Sequence, residues 1–191
     1  IGFAKLQMLN DLHFSETIYG LGAGVFFIGY FLFEVPSNLI MSRVGARRWM
    51  ARIMVSWGII SGCMMFVSTP SMFYLLRFSL GLAEAGFFPG IIYYLSIWYP
   101  EVRRGRIYAL FMTGVAISGV IGGPLSGWIL HSLSGVHNLA GWQWLFIIEA
   151  IPSIVMGGIL LFTLDDSIYA ARWLNPSEKQ RLLTNLQTDK R

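Results

Sequence analysis

Charge and cysteine are both scarce in this sequence. Of its 191 residues only 13% are charged, against about a quarter in ordinary soluble domains, while 55% are hydrophobic and the mean hydropathy is +0.59. This composition excludes an ordinary soluble domain and predicts a membrane protein. The one cysteine, Cys63, lies inside an apolar run, which excludes an internal disulfide and a cysteine-rich metal site. We expect it to pack as a small hydrophobic residue.

Motifs typical of intramembrane enzymes are also missing. Neither HExxH nor GxSxG occurs, and the three histidines, His13, His131 and His137, fall in connectors between apolar runs. We therefore predict no enzyme activity, no catalytic residue, no metal and no organic cofactor. The net charge of +4 does not indicate a nucleic-acid partner, because the basic residues lie in short connectors rather than on one exposed face.

Long apolar runs are abundant. A bilayer span takes about 20 mostly apolar residues, and five complete runs, one of them shorter, lie at 18–41, 53–67, 72–99, 107–130 and 142–164. Residues 1–9 are expected to be the exit of an earlier span whose body lies outside this chain. The sequence therefore predicts an all-α membrane protein with a transmembrane bundle over residues 1–164.

A polar segment follows at 165–191. Asn175, Pro176 and Glu178 are typical of a helix start, with a capping side chain, a proline in the first turn and an acid at the third position. We expect this helix to lie along the membrane surface or against neighbouring loops. Its apolar face would consist of Leu182, Leu183 and Leu186.

Basic residues predict which side each connector faces, because Lys and Arg concentrate in cytoplasmic loops. Lys5 lies in an outer connector and Arg77 within a span. The other 12 of the 14 basic residues fall in two alternate connectors and the tail: Arg43, Arg47, Arg48 and Arg52, then Arg103, Arg104 and Arg106, then Arg172, Lys179, Arg181, Lys190 and Arg191. The tail is therefore predicted to be cytoplasmic. Because the chain starts at Ile1 without a methionine or a cleavable leader, we expect a fragment.

The fourth run carries the two charges on which the functional interpretation depends. Arg77 and Glu84 are seven residues apart, almost two helical turns, so they lie on nearly the same face with Gly81 between them. An arginine at the centre of a span costs about 2.5–3.5 kcal/mol, so such residues usually face a bundle interior or a watery cavity. This stripe is the leading candidate for a substrate or proton site. Two alternatives stay open: a structural Arg77–Glu84 ion pair, or an Arg77 that extends to the headgroups.

Proline and glycine shape the fourth and fifth runs. Pro89, next to Gly90, predicts a kink because proline removes a backbone donor and clashes with the preceding turn. In the fifth run, the small-residue stripes that include Gly119 and Gly123, with Pro124 among them, predict tight helix contacts on two sides. The alternative is that they reflect the higher glycine content of membrane helices.

Several stretches resemble a known family. SRVGARR resembles the basic loop between helices two and three of the major facilitator superfamily, and GGPLSG resembles its fifth-helix glycine-proline pattern. RFSLGLAEAGFFPG resembles its fourth-helix pattern, an arginine followed at four-residue intervals by glycine and a small residue, here Arg77, Gly81 and Ala85. The longer strings EVPSNLIMSRVGARRW and GWQWLFIIEAIPS are similar to the anion:cation symporter branch, which includes bacterial permeases for 4-hydroxyphenylacetate and tartrate-like acids.

The resemblance implies the amino-terminal half of a proton-coupled organic-anion symporter in the bacterial inner membrane, with a carboxy-terminal half of the same transporter as its partner. Two six-helix halves would rock about a midplane site. The proton would be the coupling ion, Arg77 would hold the organic anion and Glu84 would carry the proton. Tyr30 is expected to contact substrate, with an interhelical hydrogen bond as the alternative, and Glu34 is a second candidate acid.

The basic loop departs from the superfamily pattern. That pattern usually begins with glycine and has an aspartate before its first basic residue, whereas Asn38 and Ser42 occupy those positions here. A charge relay built on that aspartate is therefore not expected, and the loop would serve mainly orientation. The residues with this gating or orientation role are Arg43, Gly45, Arg47 and Arg48.

Two other classes stay open. A channel would depend on rings of polar residues in an oligomer, whereas Arg77 and Glu84 share one helix. A non-transporting regulatory or assembly protein derived from a transporter half would need no second half.

Overall fold

The computed structural model describes residues 2–188, so the expectations for Ile1, Lys190 and Arg191 lie outside the described residues. The described chain is helical, with two 3₁₀ turns at Met64–Phe66 and Val136–Asn138. Its helices are α1 (Lys5–Leu12), α2 (Glu16–Val44), α3 (Ala46–Cys63), α4 (Pro70–Glu84), α5 (Phe87–Trp98), α6 (Glu101–Ser132), α7 (Gly141–Thr163) and α8 (Pro176–Thr188).

Five segments are long and apolar enough to cross a membrane. They are Glu16–Val44, Ala46–Phe66, Pro70–Trp98, Glu101–Ser132 and Gly141–Thr163. The third of these contains both α4 and α5, which form one interrupted span. The predicted all-α membrane fold with five complete spans is confirmed.

The basic connectors are helical, which corrects the predicted loop at 42–52. Helix α2 continues to Val44 and α3 begins at Ala46, so Gly45 alone reverses the chain, and its φ of 97° suits glycine. In the same way α6 begins at Glu101, which places the second basic cluster in its first turns. The physical reason is that arginine is a good helix former, so loss of hydropathy marks the edge of the apolar run and not the end of the helix.

The fourth span is broken rather than kinked at proline. Helix α4 ends at Glu84, Ala85 takes an extended ψ of 129°, and Gly86 adopts a φ of 87° before α5 begins at Phe87. Pro89 lies in the first turn of α5, where its missing N–H leaves no helical bond unmade. The break therefore precedes the proline, whose ring would clash with the carbonyl of residue 85 in a continuous helix.

Two helix pairs pack most closely, α2 with α4 and α3 with α7. In the first pair, which we call the α2–α4 seam, Gly29 and Gly81 allow backbones to approach. A Cβ added at Gly29 would lie 2.6 Å from the carbonyl oxygen of Phe78, and one added at Gly81 would overlap the carbonyl oxygen of Phe26. Small residues at such contacts are how membrane helices gain close packing without a hydrophobic driving force.

The segment read as the exit of an earlier span forms the short helix α1. Its Met8 packs in a buried cluster with Phe73 of α4 and Trp142 of α7. The indole N–H of Trp142 also donates to Asp11 Oδ2 at 2.9 Å. This segment therefore covers the end of the bundle where α2 and α4 begin.

Within residues 2–188, the small-residue stripes of α6 make no close helix contact, so the prediction of tight contact on two sides stays a prediction. Within the described chain, a Cβ added at Gly119 would meet nothing within 4 Å, and one at Gly123 would reach only Phe3 at 3.9 Å. Pro124 lies exposed inside the uninterrupted helix. The physical reason is that α6 buries only Ser126 and Ile129, so its stripes face no other helix within residues 2–188.

The tail packs against the end of α5 that adjoins α6. Helix α8 begins at Pro176, as the sequence predicts, and the backbone N–H of Asn175 donates to Glu178 Oε2 at 2.8 Å. The Trp98 and Trp173 rings stack with centroids 5.9 Å apart. The leucines at 182, 183 and 186 pack against this cluster, so the tail helix rests on neighbouring protein.

We predict that Gly81→Ala destabilises the protein by about 1–3 kcal/mol, because the new methyl group overpacks the α2–α4 seam. The measurement is the melting temperature of the detergent-solubilised full-length protein, which should fall by several degrees. Gly158→Ala is the matched control, since a Cβ there meets nothing within 4 Å. Equal melting temperatures for the two variants would contradict the described packing.

Candidate functional site

Arg77 lies within the α2–α4 seam. It is the eighth residue of the 29-residue span Pro70–Trp98, roughly 10 Å from the start of that span at 1.5 Å per residue. Only 7% of its surface is exposed. Its Nε donates to the carbonyl oxygen of Gly22 at 3.2 Å, and its guanidinium carbon lies 4.5 Å from the Phe26 ring centroid. Arg77 is therefore held by α2 and does not extend toward headgroups.

The guanidinium keeps unused hydrogen-bonding capacity. Within residues 2–188 its two terminal nitrogens have no protein acceptor, since the Nε bond to Gly22 is the hydrogen bond that Arg77 donates. A planar guanidinium whose two terminal NH2 groups are free matches the two oxygens of a carboxylate. The stacking on Phe26 orients that fork through a cation–π contact. Chemically, this arrangement can bind an anion.

Glu84 lies at the middle of the same span, as its fifteenth residue of 29. It is half-buried and is the last residue of α4 before the break. Among the described residues it forms no ion pair with Arg77, although the two charges interact through space. The structure therefore keeps a cation and an acid on one flank without joining them, so each can respond to a ligand or a proton.

Tyr30 and Glu34 complete the polar face on α2. Both are half-buried, and the Tyr30 hydroxyl interacts electrostatically with the carboxyl groups of Glu34 and Glu84. The Tyr30 backbone nitrogen would lie 3.0 Å from a Cβ added at Gly81, so α2 and α4 touch at this level. The structure thus brings together the predicted residues Tyr30, Glu34, Arg77, Gly81 and Glu84 at the α2–α4 seam.

The residues of the basic loop lie elsewhere, at the far end of α2. The side chains of Arg43 and Arg48 are exposed. The backbone N–H of Arg47 donates to Asp166 Oδ1 at 2.8 Å, and a Cβ added at Gly45 would lie 2.8 Å from the same carboxyl group. Asp166, which follows α7, therefore caps the start of α3.

Other polar groups form no second site in the part of the chain that the structure describes. Glu149 is exposed on α7 and accepts a hydrogen bond from Ser126 of α6, with 3.4 Å between the oxygens. No group of three His, Cys, Asp or Glu side chains within residues 2–188 converges as metal ligands would.

Ser37 and Trp49 are among the residues beside the site that sequence reasoning missed. Ser37 is 5% exposed, and its Oγ donates to the carbonyl oxygen of Ala85 at 2.6 Å. The same Oγ accepts the indole N–H of Trp49 at 2.9 Å. The available signal was Pro89, because a proline inside a span leaves the carbonyl four residues earlier without its usual donor.

Comparisons with known proteins identify the family. The sequence matches the Major Facilitator Superfamily over residues 1–186. It is 57% identical over 189 residues to "Putative metabolite transport protein NicT" of Pseudomonas putida, 54% identical to "Putative tartrate transporter" of Agrobacterium vitis, and 47% identical to "Quinolone resistance transporter" of Acinetobacter baumannii. Each alignment covers 99% of this chain but 42–43% of the relative, so the chain spans about two fifths of these proteins.

Solved structures show the same fold. The chain is similar to a bacterial homologue of the human lysosomal transporter Spinster in its inward-facing, unoccupied conformation, with a TM-score of 0.78 and 20% sequence identity. The match covers 86% of this chain and 39% of that one, and the occupied form of the same protein matches with a TM-score of 0.77. The chain belongs to the Major Facilitator Superfamily and corresponds to the amino-terminal half of its transporters.

Proposed function

We propose that the protein containing this chain is a proton-coupled symporter of small organic anions that works by alternating access. The observation that carries the proposal is Arg77, a buried guanidinium whose terminal nitrogens have no protein acceptor within residues 2–188. A permanent cation at this depth is costly unless it has a functional partner. A carboxylate substrate is the partner that satisfies both its charge and its geometry.

Proton coupling would follow from the separation of Arg77 and Glu84. With substrate bound, the carboxylate neutralises Arg77, and a protonated Glu84 then leaves no net charge at the middle of the span. When the substrate leaves, Glu84 would release its proton, so that its carboxylate balances the charge of Arg77 that the substrate no longer neutralises. Tyr30 offers a hydroxyl beside both acids, and Glu34 is the second acid that can accept a proton.

The names of the relatives support the substrate class. Two of them are named for tartrate or metabolite transport, and a tartrate-like dicarboxylate would present one carboxylate to the Arg77 fork. Because the relative from Acinetobacter baumannii is named a quinolone resistance transporter, a quinolone is the comparison compound for the uptake assay. Uptake of labelled tartrate, 4-hydroxyphenylacetate and a quinolone by proteoliposomes containing the full-length protein tests the substrate class.

A carboxy-terminal half and the bilayer are the proposed partners. The open face of α6 supports this, because its small-residue stripes meet no helix among the described residues. Large apolar residues on α6 are also exposed: Val115, Ile117, Val120, Ile121, Leu125 and Trp128. We infer a location in the bacterial inner membrane, with the tail cytoplasmic because 12 of the 14 basic residues lie on that side.

We predict that Glu84→Gln abolishes proton-driven uptake but leaves substrate exchange near the wild-type rate. Glutamine keeps the shape and the hydrogen bonding of the side chain but cannot bind and release a proton. Both rates are measured in proteoliposomes, uptake with an imposed pH gradient and exchange with equal substrate on both sides. Glu16→Gln is the control, since Glu16 pairs with Lys5 at 2.6 Å at the start of α2, away from the site. Normal accumulation by Glu84→Gln would remove Glu84 from the mechanism.

We predict that Arg77→Lys lowers substrate affinity by at least about tenfold, because one ammonium group cannot hold Gly22, stack on Phe26 and present a fork to a carboxylate. Binding is measured by isothermal titration with the full-length protein, with melting temperature as the check on folding. Arg106→Lys, on the exposed start of α6, is the matched control. Unchanged affinity in Arg77→Lys would assign Arg77 a purely structural role.

A further inference from the structure

The break in the fourth span leaves several backbone carbonyls, among them that of Ala85, without a helical donor. Inside a membrane, interrupted backbone is tolerated only where other groups satisfy it. The N–H of Ala85 still bonds to Gly81 O at 3.0 Å, and Gly86 O accepts from Gly90 at 2.9 Å. In a continuous helix the carbonyl of Ala85 would accept from residue 89, but Pro89 has no N–H to donate. The sequence of α5 itself thus creates the need for an outside donor.

Ser37 of α2 supplies that donor. Its hydroxyl has a single proton, and the 2.6 Å distance from Oγ to Ala85 O assigns the proton to that carbonyl. The Trp49 indole N–H, which can only donate, approaches the same Oγ to 2.9 Å from α3. Trp49 therefore fixes the direction of the Ser37 hydroxyl. We call this arrangement the Trp49–Ser37–Ala85 relay.

The surroundings keep the relay in place. Gly86 makes room for it, because a Cβ at that position would overlap Ser37 Oγ and lie 2.8 Å from Ser37 Cβ. On the other side, the Arg52 guanidinium carbon lies 4.0 Å from the Trp49 ring centroid, which holds the indole through a cation–π contact. Segments from α2, α3 and the α4–α5 break therefore meet at one buried oxygen atom.

The relay lies next to the acid of the site. Glu84 immediately precedes Ala85, so the peptide that the relay holds is joined to the residue at the end of α4. Ser37 is also one turn beyond Glu34 on α2, and the Asn38 amide donates to the Glu34 carbonyl at 2.8 Å. Loss of the Ser37 bond would free the Ala85–Gly86 peptide. Arg77, seven residues before Glu84, would keep its own contacts with α2.

We propose that Ser37 and Trp49 are positioning residues that fix the Ala85 peptide and thereby hold Glu84 in the geometry for proton transfer. This inference rests on the proposed function. Neither residue touches the substrate or the proton. Their role predicts a selective defect: coupling to protons is lost, while substrate binding and exchange, which depend on Arg77, are retained.

The test compares Ser37→Ala, Trp49→Phe and the double variant of the full-length protein in proteoliposomes. The substrate is labelled tartrate or 4-hydroxyphenylacetate, whichever the wild type accumulates more. Trp49→Phe removes the indole donor and keeps an aromatic ring, so it keeps the test decisive if Ser37→Ala fails to fold. Controls are Trp57→Phe, on the same helix and packed on Phe87, and Ser56→Ala, whose hydroxyl bonds within α3.

The expected result is a loss of about fivefold or more in proton-driven uptake for each relay variant, with exchange changed less than twofold. The double variant should lose no more than the worse single variant, because residues in one network are not additive. Equal loss of uptake and exchange, or wild-type uptake in folded variants, overturns the positioning role. So does additive loss in the double variant.

Amide hydrogen exchange over residues 82–90 separates this inference from the proposed function. Faster exchange there in the relay variants, with the wild-type exchange rate in Ser56→Ala, is expected whether or not the protein couples to protons. Unchanged exchange in Ser37→Ala and Trp49→Phe overturns the relay. A wild type that accumulates neither acid contradicts the proposed function, while the exchange data still decide whether the relay holds the break.

Discussion

A guanidinium buried between two membrane helices is the constraint on which the rest of this structure depends. Arg77 is 7% exposed and contacts α2 through the Gly22 carbonyl and the Phe26 ring. Such a contact requires the helices to lie very close, and Gly29 and Gly81 provide that closeness. The glycine contacts and the buried arginine therefore depend on each other. The glycines bring the two backbones together, and the two terminal nitrogens of Arg77 are left without an acceptor among the described residues.

The second constraint is that a bilayer supplies no water to an interrupted backbone. The chain breaks its fourth span beside Glu84 and satisfies the freed carbonyl of Ala85 with Ser37 from α2. In an unbroken span Glu84 would lie in the middle of a continuous helix, whereas the break places it at a helix end. In the proposed mechanism the helices move past one another, and the break held by the Ser37 hydroxyl is the point at which we propose that this movement is coupled to a proton.

Much of the fold follows from the sequence, because hydropathy and helical period depend on neighbouring residues. The five spans, the shared flank of Arg77 and Glu84 and the start of α8 at Pro176 are of this kind. The sequence did not predict that the basic connectors are helical, because hydropathy indicates which residues lie in lipid and not which residues are helical. Ser37 was missed because its partner lies 48 residues away. The open face of α6 could not be predicted because small-residue stripes indicate contact without identifying the partner.

The central claim of the proposed function is that an anion from water reaches the fixed cation Arg77 beside the α2–α4 seam. Its most direct test is the reaction of Tyr30→Cys, in a Cys63→Ser background of the full-length protein, with membrane-impermeant anionic and cationic thiol reagents of equal size. The account predicts that both reagents react, that the anionic one reacts faster after normalisation to a free thiol, and that Arg77→Gln removes this preference. A thiol at position 30 that neither reagent modifies, or a preference for the cationic reagent, would contradict the account.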